Sequence, residues 1–208
     1  MFKMAVGHSD DVDPIRAVDA TIAECRAQLD GLAPRAALLF AALDSFDPQL
    51  VGRVRAAFGG IDIIGATSAA EMSSIGGYQE DSVALAVFAS DNVEFGVGLG
   101  DGTDRDAPAA AKAAAAQALG SITQDPKVCI VLAEGANTQR AIESLRGELP
   151  AGVLMVGGAA GGNELRGTAG TFQVCNDSVS RAGIAIMLMA GPLSFSTAVG
   201  MGWRILGP

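Results

Sequence analysis

Two hydrophobic periods alternate along this chain. Apolar runs of strand length occur at residues 3–7, 36–43, 61–66, 128–133 and 153–156, the pattern of strands covered on both faces. Between them, apolar residues recur at helical spacing. Ile15, Val18, Ile22, Cys25 and Leu29 follow Asp13-Pro14, and Leu50, Val51, Val54 and Phe58 follow Asp47-Pro48. An aspartate cap with proline at the first helical position opens both helices. Gly31 and Gly59-Gly60 close them. Asp106 and Pro108 open an alanine-rich helix that reaches Gly120, and Asn137 or Thr138 caps another carrying Ile142 and Leu145. Residues 67–81 read as a polar loop. Residues 82–89 and 93–99 read as an antiparallel pair turned at Ser90-Asp91-Asn92. A strand at 171–175 precedes a second closing pair, 184–189 and 193–201, turned at Gly191-Pro192.

The second half repeats the first. The strand at Ala36 corresponds to that at Val128 (128 − 36 = 92), and Ile64-Gly65 corresponds to Val156-Gly157 (156 − 64 = 92). The loop after the third strand is longer in the second half, so Val97-Gly98-Leu99-Gly100 corresponds to Val199-Gly200-Met201-Gly202 (199 − 97 = 102). The expected fold is α/β: a duplicated β-α-β-α-β unit with antiparallel closing strands, giving mixed sheets flanked by helices. The expected organisation is a single domain over 1–208, made of repeats at about 1–101 and 102–208. Duplicated units commonly pack about a pseudo-two-fold axis, which would bring equivalent loops together around a ligand.

Composition narrows the function. Charged residues are sparse at 18%, and the net charge is −9 without any run of Lys or Arg. Nucleic acid and anionic membrane are therefore not expected partners. No apolar run is long enough to span a bilayer, so a cytoplasmic location is expected. Cys25, Cys129 and Cys175 are widely spaced and form no C-x-x-C, which fits neither a zinc site nor a disulfide framework. P-loop, dinucleotide, G-x-S-x-G and H-E-x-x-H patterns are absent. The glycine run 96–102 reads as a strand that twists or packs against its copy. No cofactor, metal or catalytic residue is expected.

Three polar loops remain as candidate ligand sites. Thr67, Ser68 and Glu71 follow the third strand, and Gly157, Gly158 and Asn163 follow its copy. Glycine admits backbone N–H groups to a ligand, and the side chains add hydrogen bonds; a tight turn leaving the sheet would use the same residues. Glu134 and Asn137 stand before a helix N-terminus, suited to an anionic ligand or to simple capping. His8 and Ser9 end the first strand, where ligand residues gather in α/β folds. Trp203 reads as a core or interface anchor.

The segments Val6-Gly7-His8-Ser9, Leu38-Leu39-Phe40-Ala41, Ile63-Ile64-Gly65-Ala66-Thr67-Ser68-Ala69-Ala70-Glu71-Met72, Gly157–Asn163 and Gly200-Met201-Gly202-Trp203 resemble the N-terminal part of the FIST sensory domain. The third is similar to that family's I-G-C-T-S-x-G-E pattern, with Ala66 for Cys and Ala70 for Gly. The resemblance implies a prokaryotic signal input domain that binds a small molecule, an amino acid or small carboxylate. Its output partner would be a histidine kinase, a cyclic-di-GMP enzyme or a chemoreceptor. It also implies that a C-terminal half usually follows, so the site on this chain alone could be incomplete. The alternatives are a ligand-free interaction scaffold, or a small hydrolase or transferase using His8 with Ser9 or Ser68. On the sensor reading, Glu71→Ala or Asn163→Ala is expected to weaken binding with little loss of stability.

Overall fold

The second half of the chain retraces the first. One unit comprises β1 (Phe2–Ser9), α1 (Pro14–Leu29), β2 (Pro34–Ala42), α2 (Pro48–Ala57), β3 (Asp62–Ser68), a hairpin of β4 (Glu71–Ser73) and β5 (Gly77–Gln79), and β6 (Val83–Ser90). The other comprises β7 (Glu94–Asp101), α3 (Thr103–Gly120), β8 (Pro126–Ala133), α4 (Thr138–Glu148), β9 (Leu154–Ala159), a hairpin of β10 (Gln173–Cys175) and β11 (Ser178–Ser180), and β12 (Gly183–Ala190). This computed structural model describes residues 1–135, 137–162 and 170–198. Three pairs of equivalent strands start 92 positions apart: Phe2 and Glu94 (94 − 2), Pro34 and Pro126 (126 − 34), Asp62 and Leu154 (154 − 62). The strand orders agree too, β1-β6-β2-β3 against β7-β12-β8-β9.

Proline and aspartate set the helix starts as their spacing predicts. Asp13 accepts from the N–H groups of Ile15 and Arg16, and Asp47 accepts from that of Gln49. Asp106 sits at a kink inside α3 (φ −143°, ψ 82°) and accepts from Ala109 N–H at 3.1 Å, capping the straight part of that helix.

The layers follow from which face each strand position occupies. α1 and α2 cover one sheet, packing Val18, Ile22, Leu50 and Val54 on Leu39, Ile63 and Leu85. α3 and α4 cover the other, packing Ala110, Ala114 and Leu145 on Val131, Ile186 and Leu188. The two inner sheet faces meet through Ile64, Ala66 and Phe88 on one side and Phe95, Val97, Leu132 and Met187 on the other. The result is a helix–sheet–sheet–helix sandwich.

Strand pairing departs from the sequence reading. β6 and β7 do not pair with each other. β6 runs antiparallel between β1 and β2, and β7 pairs with β12 in the other sheet. The topological boundary is therefore the turn at Asp91-Asn92 rather than the end of β7. Residues 193–198 are not strand, and β12 lies between β7 and β8; residues 199–201 lie outside the described residues. The reason is burial: β12 is buried at every position, which only a central place between two covered faces provides. The 67–81 loop contains the β4–β5 hairpin, which its polar sequence did not announce.

The glycine run has a specific packing role. A Cβ at Gly96, Gly98 or Gly100 would lie 2.3, 2.1 or 1.8 Å from the carbonyl oxygen of Ala118, Ala114 or Ala110. Two strand residues advance about 6.7 Å and four helical residues about 6 Å. Alternate glycines of β7 thus meet every fourth residue of α3, and the strand packs against this helix rather than against its copy.

The two hairpins are used differently. β10 extends the first sheet, running antiparallel to β3 with Gln173, Val174 and Cys175 opposite Ala66, Gly65 and Ile64. β4 and β5 form a two-stranded sheet of their own. The exchange between units is therefore one-way, and not the reciprocal exchange a two-fold axis would produce.

Candidate functional site

β1, β2 and β3 run parallel, so their C-terminal ends share one edge of the sandwich. His8-Ser9, the 43–47 turn and Ser68–Glu71 gather there, with Ser82 at the entry to β6. Glu71 is only 3% exposed. Its Oε2 accepts from the Ser82 N–H at 3.2 Å and from the Ser82 hydroxyl, and its Oε1 accepts from the Ser68 hydroxyl. His8, 8% exposed, has Nε2 2.9 Å from Ser82 Oγ and Nδ1 2.7 Å from Ser73 Oγ. The donors can be ordered from chemistry. A carboxylate only accepts, so the Ser82 hydroxyl donates to Glu71 and accepts from His8 Nε2–H. In a neutral ring Nδ1 then accepts from Ser73, whose oxygen also accepts from Gly76 N–H at 2.9 Å. Gly76 is required here, because a Cβ would lie 2.2 Å from His8 Nδ1.

This network lacks the order of a catalytic triad. Glu71 engages a serine instead of orienting the histidine, and Ser82, the serine bonded to Nε2, is 1% exposed. The three thiols are no better placed as nucleophiles. Burial pushes Cys25, Cys129 and Cys175 up to about 12, and thiols with that affinity for the proton react poorly. Among the described residues, no group of three or more His, Cys, Asp or Glu side chains could hold a metal ion. No helix among them is long and apolar enough to cross a membrane.

The second unit meets the first at this same edge. Thr67, 1% exposed, works as a clasp. Its N–H donates to Phe172 O and its Oγ1 accepts from Phe172 N–H, both at 3.0 Å. Its carbonyl accepts from Gly161 N–H at 2.9 Å. Phe172 stacks on Phe46, with ring centroids 5.1 Å apart, and the Arg181 guanidinium lies 4.6 Å from the Phe172 centroid. Ala160 N–H donates to Ala133 O at 2.8 Å, which joins this loop to the end of β8. There Glu134 Oε2 accepts from both the backbone N–H and the Nδ2 of Asn137, each at 3.0 Å.

The predicted site residues thus divide. Ser68, Gly158, Glu134 and Asn137 lie partly exposed along the shared edge. Thr67, Glu71 and His8 are buried and hold it together. Gly157 is a packing residue: a Cβ would lie 1.9 Å from Val131 O, just as one at its equivalent, Gly65, would lie 2.4 Å from Leu39 O. Ser9 accepts from Asp11 N–H at 3.3 Å in the turn before α1. Asn163 and Trp203 lie outside the described residues. Sequence reasoning missed Ser73, Gly76, Ser82, Phe172 and Arg181, which enter only through non-local packing.

A cavity of about 450 Å³ lies at the opposite end of the strands, lined by Pro34, Arg35, Gly60, Asp62, Glu94 and Ser121 among others. Glu94 is already committed there: hydrogen bonds from the Thr123 N–H and hydroxyl and the Gln124 N–H hold its carboxyl down at about 2. Convergent polar groups from both units favour the other edge, where strand C-termini also place ligands in open α/β sheets.

The fold and this edge define a duplicated α/β domain whose polar loops meet between units. The sequence matches the FIST N domain family over residues 35–208, and the chain belongs to that family of sensory domains in signal transduction. No curated protein matches the chain. Among solved structures, it is similar to a cyanuric acid hydrolase from A. caulinodans, with 14% identity over 95% of this chain and 69% of that one and a TM-score of 0.36. A second cyanuric acid hydrolase structure is 9% identical over 92% of this chain and 68% of its own, with a TM-score of 0.45. Likeness this distant carries no chemistry across.

Proposed function

We propose that this chain is the input module of a prokaryotic, cytoplasmic signalling protein and binds an amino acid or small carboxylate at the edge where the two units meet. The observation that carries this reading is the hydrogen bond from Gly161 N–H to Thr67 O. It ties the strand-end loops of the two units, so a ligand bridging Ser68 and Gly158 to Glu134 and Asn137 would favour one relative arrangement of the units. An output partner such as a histidine kinase, a cyclic-di-GMP enzyme or a chemoreceptor then reads that arrangement as a population shift. The commitment of His8, Ser82 and Glu71 to one another supports binding without catalysis.

A thermal-shift screen with free amino acids, small carboxylates and nucleotides tests the reading. Amino acids or carboxylates should stabilise the chain by about 2.7 kcal/mol at a hundred times the dissociation constant. Ser68→Ala should abolish most of that shift, measured against the variant's own unliganded melting temperature, because Glu71 Oε1 also loses its donor. A flat response to every compound would reject the reading.

A further inference from the structure

The one-way exchange of hairpins leaves two complementary elements unused. In the first unit, the outer edge of β3 is covered by β10. Its equivalent, β9, pairs only with β8 among the described residues, and Val156 on it is 36% exposed. In the second unit, the hairpin β10–β11 is docked. Its equivalent, β4–β5, pairs with no other strand among the described residues.

The unused hairpin carries the apolar surface that docking would bury. Met72 and Tyr78 face each other across β4 and β5 and are 80% and 66% exposed, and Ile75 in the turn is 49% exposed. The residue equivalent to Met72 in the docked hairpin is Val174, which is 1% exposed and packs into the core of the first unit beside Ile63. The acceptor shows the matching gap. Met155, equivalent to Ile63, is only partly buried, whereas Ile63 is fully buried. A cavity of about 330 Å³ opens beside it, lined by Leu149, Pro150, Val153 and Met155 among others.

We propose that the β4–β5 hairpin of one copy of this chain adds to the β9 edge of a second copy, repeating between molecules the contact that β10 makes with β3 within one. The register transfers directly: Glu71, Met72 and Ser73 of one copy stand opposite Gly158, Gly157 and Val156 of the other. Strand addition of this kind satisfies edge amides and carbonyls that otherwise face water. Each copy offers one hairpin and one edge, and a reciprocal exchange between two copies closes as a symmetric dimer with no edge of this type left over.

Sedimentation velocity across a concentration series, combined with amide hydrogen exchange, tests the proposal on the whole chain. β3 presents the N–H groups of Ile63 and Thr67 to the β10 segment, so the equivalent Met155 and Ala159 amides, and Gly157 between them, point to the β9 edge. The expected result is a dimer whose formation protects these amides, weakened about thirtyfold or more by Met72→Asp, as for loss of a central apolar anchor. Met72 is exposed in the monomer, so this variant should keep the wild-type melting temperature when dilute. Tyr78→Asp is a second, independent disruption. A chain that stays monomeric at roughly 100 µM, where a specific interface should already be occupied, overturns the proposal. So does a dimer that leaves the β9 amides unprotected and ignores both substitutions.

Discussion

At the scale of single residues, the two units solve one problem with different side chains. Glu71 Oε2 accepts from Ser82 N–H at 3.2 Å, and Gln173 Oε1 accepts from Gly183 N–H at 2.9 Å. Both residues open the first strand of a hairpin and secure the start of the last strand of their unit. A glutamine can therefore replace Glu71. Its oxygen would keep the bond to Ser82 and its amide would donate to Ser68 instead of accepting from it. Glu71→Gln should cost less than about 1 kcal/mol in denaturant unfolding. Glu71→Ala leaves the Ser82 N–H and the hydroxyls of Ser82 and Ser68 without their acceptor and should cost about 1–3 kcal/mol. The loss of stability on Glu71→Ala separates this role from the simple ligand contact that the polar loop sequence implies.

Among the elements, the contact of β7 with α3 is the most demanding. Three alternate glycines face three alanine carbonyls, and the closest approach leaves no room for a methyl group. Gly98→Val would push the strand from the helix across the middle of the second unit. The expected cost is about 3 kcal/mol, at the upper end of overpacking penalties, because backbone is the obstacle and cannot rotate away. Urea unfolding measures it. Gly52→Ala, at a helical glycine with open space around its Cβ position, is the control and should be neutral or slightly stabilising.

The whole molecule depends on contacts between units. The inner faces of both sheets are buried only against each other, and β3 is covered at its edge by a strand that arrives from the second unit. Residues 1–91 contain every element of the first unit. Expressed alone, they would expose Ile64, Ala66 and Phe88 together with the β3 edge. The fragment should aggregate or lack a cooperative melting transition, while the whole chain unfolds in one step. A soluble fragment with a sharp transition would show that each unit is stable by itself. The same interdependence suits a sensor, since a ligand at the shared edge acts on a contact that the fold cannot do without.

Much of this was legible in the sequence. The caps at Asp13 and Asp47, the apolar stripes of the helices, the 92-residue offset up to the third strand and the polar strand-end loops are each marked by residue types read directly from the chain. Thr67, Ser68 and Glu71 could be picked out for the same reason, as could the family resemblance. What only the tertiary structure decided is which partner each edge takes. A strand's period reports that it is covered, not what covers it, so β6 and β7 read as a hairpin although they enter different sheets. β6 pairs instead with β1, joining Phe2 to Ser90. Ser82 and Phe172 carry no motif and reach the site only by such long-range closure. The one-way use of two equivalent hairpins likewise has no local signature, because it is set by where the neighbouring unit lies in space.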